Sequence, residues 1–203
     1  MNARADVMIL KWIDPRARLY ADALDEIFFQ SSATKSFASL KAREAFRERW
    51  LGRYLHLFPD WAYLAIGGNA AADGNIAAGG NLGPGGHGDL LGYLVGSVCD
   101  PAHSPIFSDI GYFQAFAALT AQFPAQLHVN VSASARSQGI GGKLVGAFVE
   151  DARLHGCEGA HVVTGRGMRN SGFYERLGFE EAGGIEWRGQ PLVFLGRCLG
   201  PGA

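Results

Sequence analysis

The chain has 203 residues, 18 of them Lys or Arg and 19 Asp or Glu, for a formal net charge of -1. A balance so close to neutral argues against a nucleic-acid partner or an adhesive basic surface, and no apolar run reaches the roughly 20 residues of a membrane span. The length suits a single domain over residues 1–203, with a core large enough to need no covalent staples.

The opening Met-Asn-Ala-Arg-Ala-Asp lacks the charged-then-apolar order of a secretory leader. Val7 to Ile13 is apolar and β-inclined and predicts a first strand. Asp14-Pro15 then opens a helix, with proline in its first turn and apolar residues at 19, 20, 23, 24, 27 and 28. Phe37, Leu40, Phe46, Trp50, Tyr54 and Leu57 recur at helical intervals and predict a second amphipathic helix over 37–57. Its charges (Lys41, Arg43, Glu44, Arg47, Glu48 and Arg49) read as a solvated face. Trp61 to Ile66 and Leu90 to Val98 predict the second and third strands. Between them, Gly67 to Gly88 is dense in glycine and has no large apolar residue after Ile76, so it cannot bury enough surface to offset the entropy of ordering. It reads as a flexible hairpin tip, with a lid over a ligand as the other reading. Asp100 to Pro105 is turn chemistry and Ile106 to Phe123 is aromatic and helix-prone, giving an inserted helical segment over 100–124. The three cysteines, Cys99, Cys157 and Cys198, are widely spaced and in no Cys-x-x-Cys pair. They argue for reduced thiols in a cytoplasmic protein, against a disulfide frame and against a zinc site, so no metal is expected.

The richest stretch runs from Leu127 to Phe179. Leu127 to Val131 alternates like a strand. Arg136 to Gly142 is a glycine-rich turn, and apolar residues at 140, 144, 145, 148 and 152 mark one face of a helix that closes at His155-Gly156. Such a turn suits a phosphate: the first-turn N–H groups have no helical partner, the dipole is positive there, and missing side chains let an anion approach. It is not a Walker loop, because Leu144 follows Lys143 and Ser137 stands where a glycine is required. It is not a dinucleotide fingerprint either, since position 144 again should be glycine. Ala160 to Thr164 predicts the fifth strand and Met168 to Leu177 a short helix. Phe179 opens the sixth strand and Leu192 to Leu195 is the seventh, with Gly189, Gln190 and Pro191 as the turn between them. The fold class is therefore α/β, a mixed central sheet of about seven strands with helices on both faces, the fourth and fifth strands being parallel neighbours joined by the glycine-loop helix.

Arg136-Ser137-Gln138-Gly139-Ile140-Gly141 resembles the acetyl-CoA loop of the Gcn5-related N-acetyltransferase (GNAT) superfamily, whose pattern is Arg/Gln-x-x-Gly-x-Gly/Ala after a strand. Phe173-Tyr174 in a short helix ending at Gly178-Phe179 is similar to that family's second mark. The texture from Leu90 to Phe179 also resembles a bacterial branch related to the acetyltransferase-like C-terminal domain of eukaryotic O-GlcNAcase, which leaves open whether transfer activity is kept. The resemblance implies a GNAT fold with splayed β4 and β5, the first two helices walling an acceptor cleft, and acetyl-CoA as acyl donor. By the same resemblance, N–H groups around Gln138, Gly139, Gly141 and Gly142 grip the diphosphate with help from Lys143, Arg136, Ser137 and Ile140. Val129, Asn130 and Val131 line the pantetheine, and Phe173 and Asn170 are further contacts. Two departures stand out. Ala133 replaces a frequent proline, and Gly167 stands where the family often has an asparagine. Asn170, four before Tyr174, could reach the cofactor if the turn is shortened and is otherwise a surface residue.

The resemblance makes Tyr174 the acid that protonates the departing thiolate, while Phe173 and Leu177 read as the helix's buried face. The resemblance assigns no base. The predicted fourth and fifth strands carry no carboxylate, only His128, Asn130 and His161, and Asp109 and His103 lie in the insert. His128 is the residue carried forward. Two functions follow: an acetyl-CoA-dependent N-acetyltransferase acting on a small-molecule or protein amine, as a monomer or homodimer, or a catalytically silent module that only binds acetyl-CoA.

Overall fold

The structure is a computed structural model that describes residues 7–68, 88–168 and 170–200. Its strands are β1 (Val7–Lys11), β2 (Ala62–Gly67), β3 (Asp89–Ser97), β4 (Ala125–Val131), β5 (Gly159–Gly165), β6 (Glu180–Trp187) and β7 (Gln190–Cys198). Its helices are α1 (Ala21–Ser31), α2 (Leu40–Arg47), α3 (Arg53–Leu57), α4 (Tyr112–Ala115), α5 (Ala117–Gln122), α6 (Ile140–Leu154) and α7 (Ser171–Glu175). The strands form one seven-stranded sheet in the order β1-β2-β3-β4-β5-β7-β6. The mixed α/β expectation holds: β1–β2 and β2–β3 are antiparallel, β4–β5 is parallel at Ala125↔Ala160 and Gln126↔His161, and β5–β7 and β7–β6 are antiparallel. The glycine-rich tip expected over 67–88 falls, at residues 69–87, outside the described residues.

Contacts divide the chain into two compact units. The first comprises the residues up to Val95 together with Val129–Val145. In it the helix predicted from Asp14 begins instead as a 3-10 segment, Pro15–Tyr20, with the Asp14 carboxylate accepting from the Arg16 N–H at 2.9 Å. Three residues per turn put Ala17 and Tyr20 on the buried side and leave Leu19 59% exposed, which corrects the 3.6-residue reading of that stretch. The single helix predicted over 37–57 is broken. Helix α2 starts at Leu40 behind Ser39, whose hydroxyl accepts from the Ala42 N–H at 3.1 Å. A π-helical turn, Glu48–Gly52, separates it from α3. The extra residue in that turn rotates the apolar stripe, so Leu51, Tyr54 and Leu55 are buried while Leu40 and Leu57 lie on the surface. The charged face is also not all solvated: Arg47 pairs with Asp25 of α1 at 2.7–2.8 Å, half-buried.

The second unit comprises Gly96–His128 and the chain from Gly146 onward. The insert is helical as expected, a 3-10 turn at Pro105–Phe107 followed by α4 and α5. It feeds an aromatic core in which Phe116 and Phe123 stand 5.3 and 6.0 Å, centroid to centroid, from Phe194 of β7. His161 belongs to this core. It is 1% exposed, its ring stacks on Phe194 at 4.6 Å, and its Nδ1 donates to the Phe123 carbonyl, which fixes the proton on that nitrogen. The β6–β7 turn sits one residue earlier than predicted. Arg188 (φ 50°) and Gly189 (φ 73°) form it, and Gln190 and Pro191 already pair with Trp187 and Glu186. Two consecutive positive φ angles match the twist that a tight hairpin needs.

Gly96 of β3 lies so close to its neighbours in this unit that an added Cβ would stand 2.5 Å from both the Gln126 carbonyl oxygen and Phe148 Cε2. Gly96→Ala should therefore destabilise the fold by about 1–3 kcal/mol, the usual cost of overpacking, and lower the urea midpoint with little change in slope. A parental midpoint would show that the strand can shift at no cost.

Burial presses the His161 imidazole down to about 4, against an ordinary value near 6.5, because the charged ring would lose its water. The unfolded chain then takes up this proton first as pH falls. Stability from His161 is full above pH 6.5 and drains away between 6.5 and about 4, by ~3 kcal/mol at most. Thermal melts of His161→Phe across that window should show a shallower acid loss than the parent, whatever the variant's stability at pH 7. Equal slopes would remove His161 from the account.

Candidate functional site

The glycine loop lies in the first unit, at the end of β4. A 3-10 turn at Ala133–Ala135 follows the strand, with the Ala135 N–H bonded to the Ser132 carbonyl at 3.0 Å. Arg136 is extended (φ -63°, ψ 153°), then Ser137 (φ 63°) and Gly139 (φ 81°) take left-handed conformations before α6 begins at Ile140. Ala135 and Ile140 are both 2% exposed and anchor the two ends of the loop, while Arg136, Ser137, Gln138 and Gly139 face outward. The Lys143 N–H is bonded to the Gly139 carbonyl at 3.1 Å and closes the first helical turn. The N–H groups of Ile140, Gly141 and Gly142 therefore have no helical acceptor and carry the positive end of the helix dipole. A Cβ built on Gly139 meets nothing within 4 Å among the described residues. Polar side chains tie the loop to itself: Arg136 Nε donates to the Val131 carbonyl at 3.4 Å, and Gln138 Nε2 to the Ser134 carbonyl at 2.9 Å. Lys143, the fourth residue of the helix, is exposed. The chemistry of this donor set fits the phosphates of a coenzyme A.

Strand β4 is held by contacts that sequence reasoning did not single out. An added Cβ on Gly92 would stand 2.7 Å from the Asn130 carbonyl oxygen and 3.1 Å from Val131 Cα, so only glycine lets β3 approach here. The Ser132 N–H reaches the Leu91 carbonyl at 2.9 Å. Asn130 donates one amide N–H to the Tyr93 hydroxyl at 2.8 Å, and burial raises the Tyr93 phenol above its ordinary range. Of the side chain expected near a cofactor, this amide hydrogen is thus already committed. The missed signal was Tyr93 itself, a phenol inside an otherwise apolar strand, whose hydroxyl must find a partner once buried.

The second unit holds the other candidates. Tyr174 is 4% exposed in α7, with Phe173 and Phe179 edge-on at 5.0 and 5.8 Å. Burial lifts its phenol above the usual value, so it stays protonated, and among the described residues its hydroxyl makes no hydrogen bond. The expected buried face of this helix is corrected: Phe173 and Leu177 are only half-buried, and Tyr174 is the side chain that the five-residue helix turns inward. Asn170 is an exposed residue at the start of α7, its Oδ1 accepting from the Thr164 hydroxyl at 3.2 Å. His128 retains some exposure, yet surrounding protein presses its imidazole down to about 4 by desolvation, so it is neutral at pH 7. His161 is the core residue already described. In the insert, His103 is exposed and bound through Nδ1 to the Asp100 carboxylate at 2.8 Å, and Asp109 is exposed. Cys157 is buried, with its thiol raised by desolvation, while Cys99 is half-buried and Cys198 exposed. Among the described residues no group of three or more His, Cys, Asp or Glu is placed to hold a metal ion. Among them, too, no helix is long and apolar enough to cross a membrane.

Residues 106–181 match the family model of the acetyltransferase (GNAT) domain. Among solved structures the chain is similar to SsHAT, at 18% identity and a TM-score of 0.67 over 96% of this chain and 99% of that one. It is similar to the NatC complex bound to Gag peptide and CoA, at 14% identity and a TM-score of 0.58 over 96% and 99%. It is also similar to yncA, a putative acetyltransferase from Salmonella typhimurium with its cofactor acetyl-CoA, at 15% identity and 0.57 over 98% and 97%. No curated protein matches the chain. At such identities the structural likeness bears on the fold, and the match over 106–181 bears on the family. Seven strands in this order, a bare loop that opens α6, and that match agree: residues 106–181 match an acetyltransferase (GNAT) domain, within a chain that has the fold of the solved acetyltransferases it resembles.

Proposed function

We propose that the protein is an acetyl-CoA-dependent N-acetyltransferase that passes the acetyl group directly to an amine in a ternary complex. The observation that carries this reading is the turn at Ser137–Gly139, which leaves the N–H groups of Ile140, Gly141 and Gly142 without a hydrogen-bond partner among the described residues, beside a Gly139 whose added Cβ would meet nothing within 4 Å. That grip suits a diphosphate, and Lys143 adds charge. Backbone groups of Val129 and Val131 hold the pantetheine arm and leave a strand N–H to polarise the thioester carbonyl. The amine attacks that carbonyl, the carbon–sulfur bond breaks, and one proton moves from the new amide nitrogen to the sulfur. Proximity supplies most of the rate.

Tyr174 serves the sulfur. Burial keeps its phenol protonated, so it can donate as the thiolate forms. The phenol is a weaker acid than a thiol, so Tyr174 acts as a relay and is reprotonated by the proton that the acceptor gives up. His128 of β4 is the candidate to carry that proton on toward Tyr174 through water; desolvation lowers its imidazole to about 4, so it holds the proton only in passing. The acceptor is a small-molecule or protein amine. The NatC structure holds a Gag peptide and CoA and the yncA structure holds acetyl-CoA, which supports a peptide and an acetyl-CoA donor as ligands of this fold.

A second reading, a module that binds acetyl-CoA without turning it over, is favoured by one observation: β4 and β5 carry no carboxylate to serve as base. Acetyl-CoA at about 100 times its dissociation constant should stabilise the fold by roughly 2.7 kcal/mol under either reading. Gly139→Val, forcing a branched residue into φ 81°, should weaken that stabilisation. Release of free CoA thiol on addition of a panel of amines separates the two readings, because only the enzyme releases it. Tyr174→Phe should slow release about a hundredfold with acetyl-CoA binding retained. Release at the parental rate would remove Tyr174 from the chemistry, and no release from any amine would favour the binding module.

A further inference from the structure

A pocket of about 380 Å³ opens where α1 hands over to α2, within the first unit, in the size range of small-ligand sites. Its apolar wall is Phe29, Phe37 and Leu40, and its charged residues are Lys35 and Arg43, with no acidic residue in the lining. The Arg43 guanidinium carbon lies 3.6 Å from the centroid of the Phe29 ring. Phe37 stands edge-on to Phe29 at 6.0 Å and is braced by Phe46 at 5.2 Å, so the aromatic floor is fixed from behind. The ring covers one side of the guanidinium carbon and leaves its N–H donors uncommitted. Among the described residues they make no hydrogen bond or ion pair. Lys35 is held over the same opening by its bond to the Gln30 carbonyl at 2.7 Å, which uses one of its three donors. Leu40 is 79% exposed, an apolar side chain left without cover at the pocket mouth.

From this arrangement we infer that the α1–α2 pocket binds a carboxylate carried on an apolar, ring-sized body. A planar guanidinium presenting its edge matches the two oxygens of a carboxylate, with Lys35 as a second cation. The Phe29–Phe37–Leu40 wall removes the apolar body from water. Two cations with no anion between them repel an amine of the same shape. The helix adds to the same sign: Ser39 takes the Ala42 N–H on its hydroxyl and the Arg43 N–H on its carbonyl, which leaves the Leu40 and Lys41 N–H groups unbonded at the positive end of α2. The inference stands on the pocket alone and is independent of acetyl transfer.

Calorimetric titration of the full chain with 3-phenylpropanoate, 3-phenylpropan-1-amine and inorganic phosphate tests it. The acid should bind, the amine should not, and phosphate should bind more weakly than the acid because it leaves the aromatic wall wet. Arg43→Gln should weaken the acid about tenfold or more by removing the two-point charge-assisted contact. Leu40→Glu, at a surface position that tolerates the change, should abolish binding by placing an anion at the mouth. Lys41→Gln, exposed and outside the lining, should leave it unchanged. An amine that binds as tightly as the acid, an Arg43→Gln protein with parental affinity, or phosphate binding as tightly as the acid would each overturn the inference.

Discussion

The glycine loop depends on where α6 begins. Ile140, Leu144, Val145, Phe148 and Ala152 are all buried to 2% exposure or less, and this stripe fixes the helix in both position and rotation. With Ile140 held inside, the chain between Ala135 and Ile140 must turn in four residues, and Ser137 and Gly139 do so in left-handed conformations. Among the described residues no side chain bonds to the N–H groups at the helix start. The open N–H groups of its first turn are thus a consequence of core packing, and an anion is the partner their charge calls for.

The polar groups inside each unit are few, and most have a partner among the described residues, Trp12 Nε1 and His161 Nε2 excepted. In the first unit the Tyr93 phenol is satisfied by the Asn130 amide, a bond between β3 and β4 that fixes the end of the strand feeding the loop. In the second, the His161 proton is tied to the Phe123 carbonyl and its ring is stacked on Phe194, which leaves Nε2 buried without a partner among the described residues. Burial therefore acts in opposite directions on the two kinds of ring. It holds the phenols of Tyr93 and Tyr174 protonated and holds the imidazoles of His128 and His161 neutral. A chain arranged this way keeps formal charge out of its interior at neutral pH, while cationic and anionic side chains crowd its helices and turns.

The break in the second predicted helix shows how a local irregularity redistributes function. A π-helical turn at Glu48–Gly52 shifts the apolar stripe, burying Tyr54 and Leu55 and leaving Leu40 at the surface beside Phe29, Phe37 and Arg43. The same region brings Arg47 against Asp25, a pair from two different helices. What reads along the sequence as a uniform charged face includes a committed ion pair and an uncommitted guanidinium set over a ring.

The pattern of the chain by itself determined the number and type of most elements. Strand alternation, the stripe from Ile140 to Ala152 and the glycine at 156 are local signals, and each turned out as read because burial of a periodic face leaves little choice. The loop from Arg136 to Gly142 was legible for the same reason, since its conformation follows from glycine and helix-end chemistry within a few residues. Register, partnership and orientation were decided only in three dimensions. The inward turn of Tyr174 rather than Phe173, the pairing of Tyr93 with Asn130 across 37 positions, and the meeting of Arg47 with Asp25 depend on contacts between distant segments. Such contacts leave no periodic trace in the sequence, because each is specified by the packing of two elements against one another and not by the propensity of either.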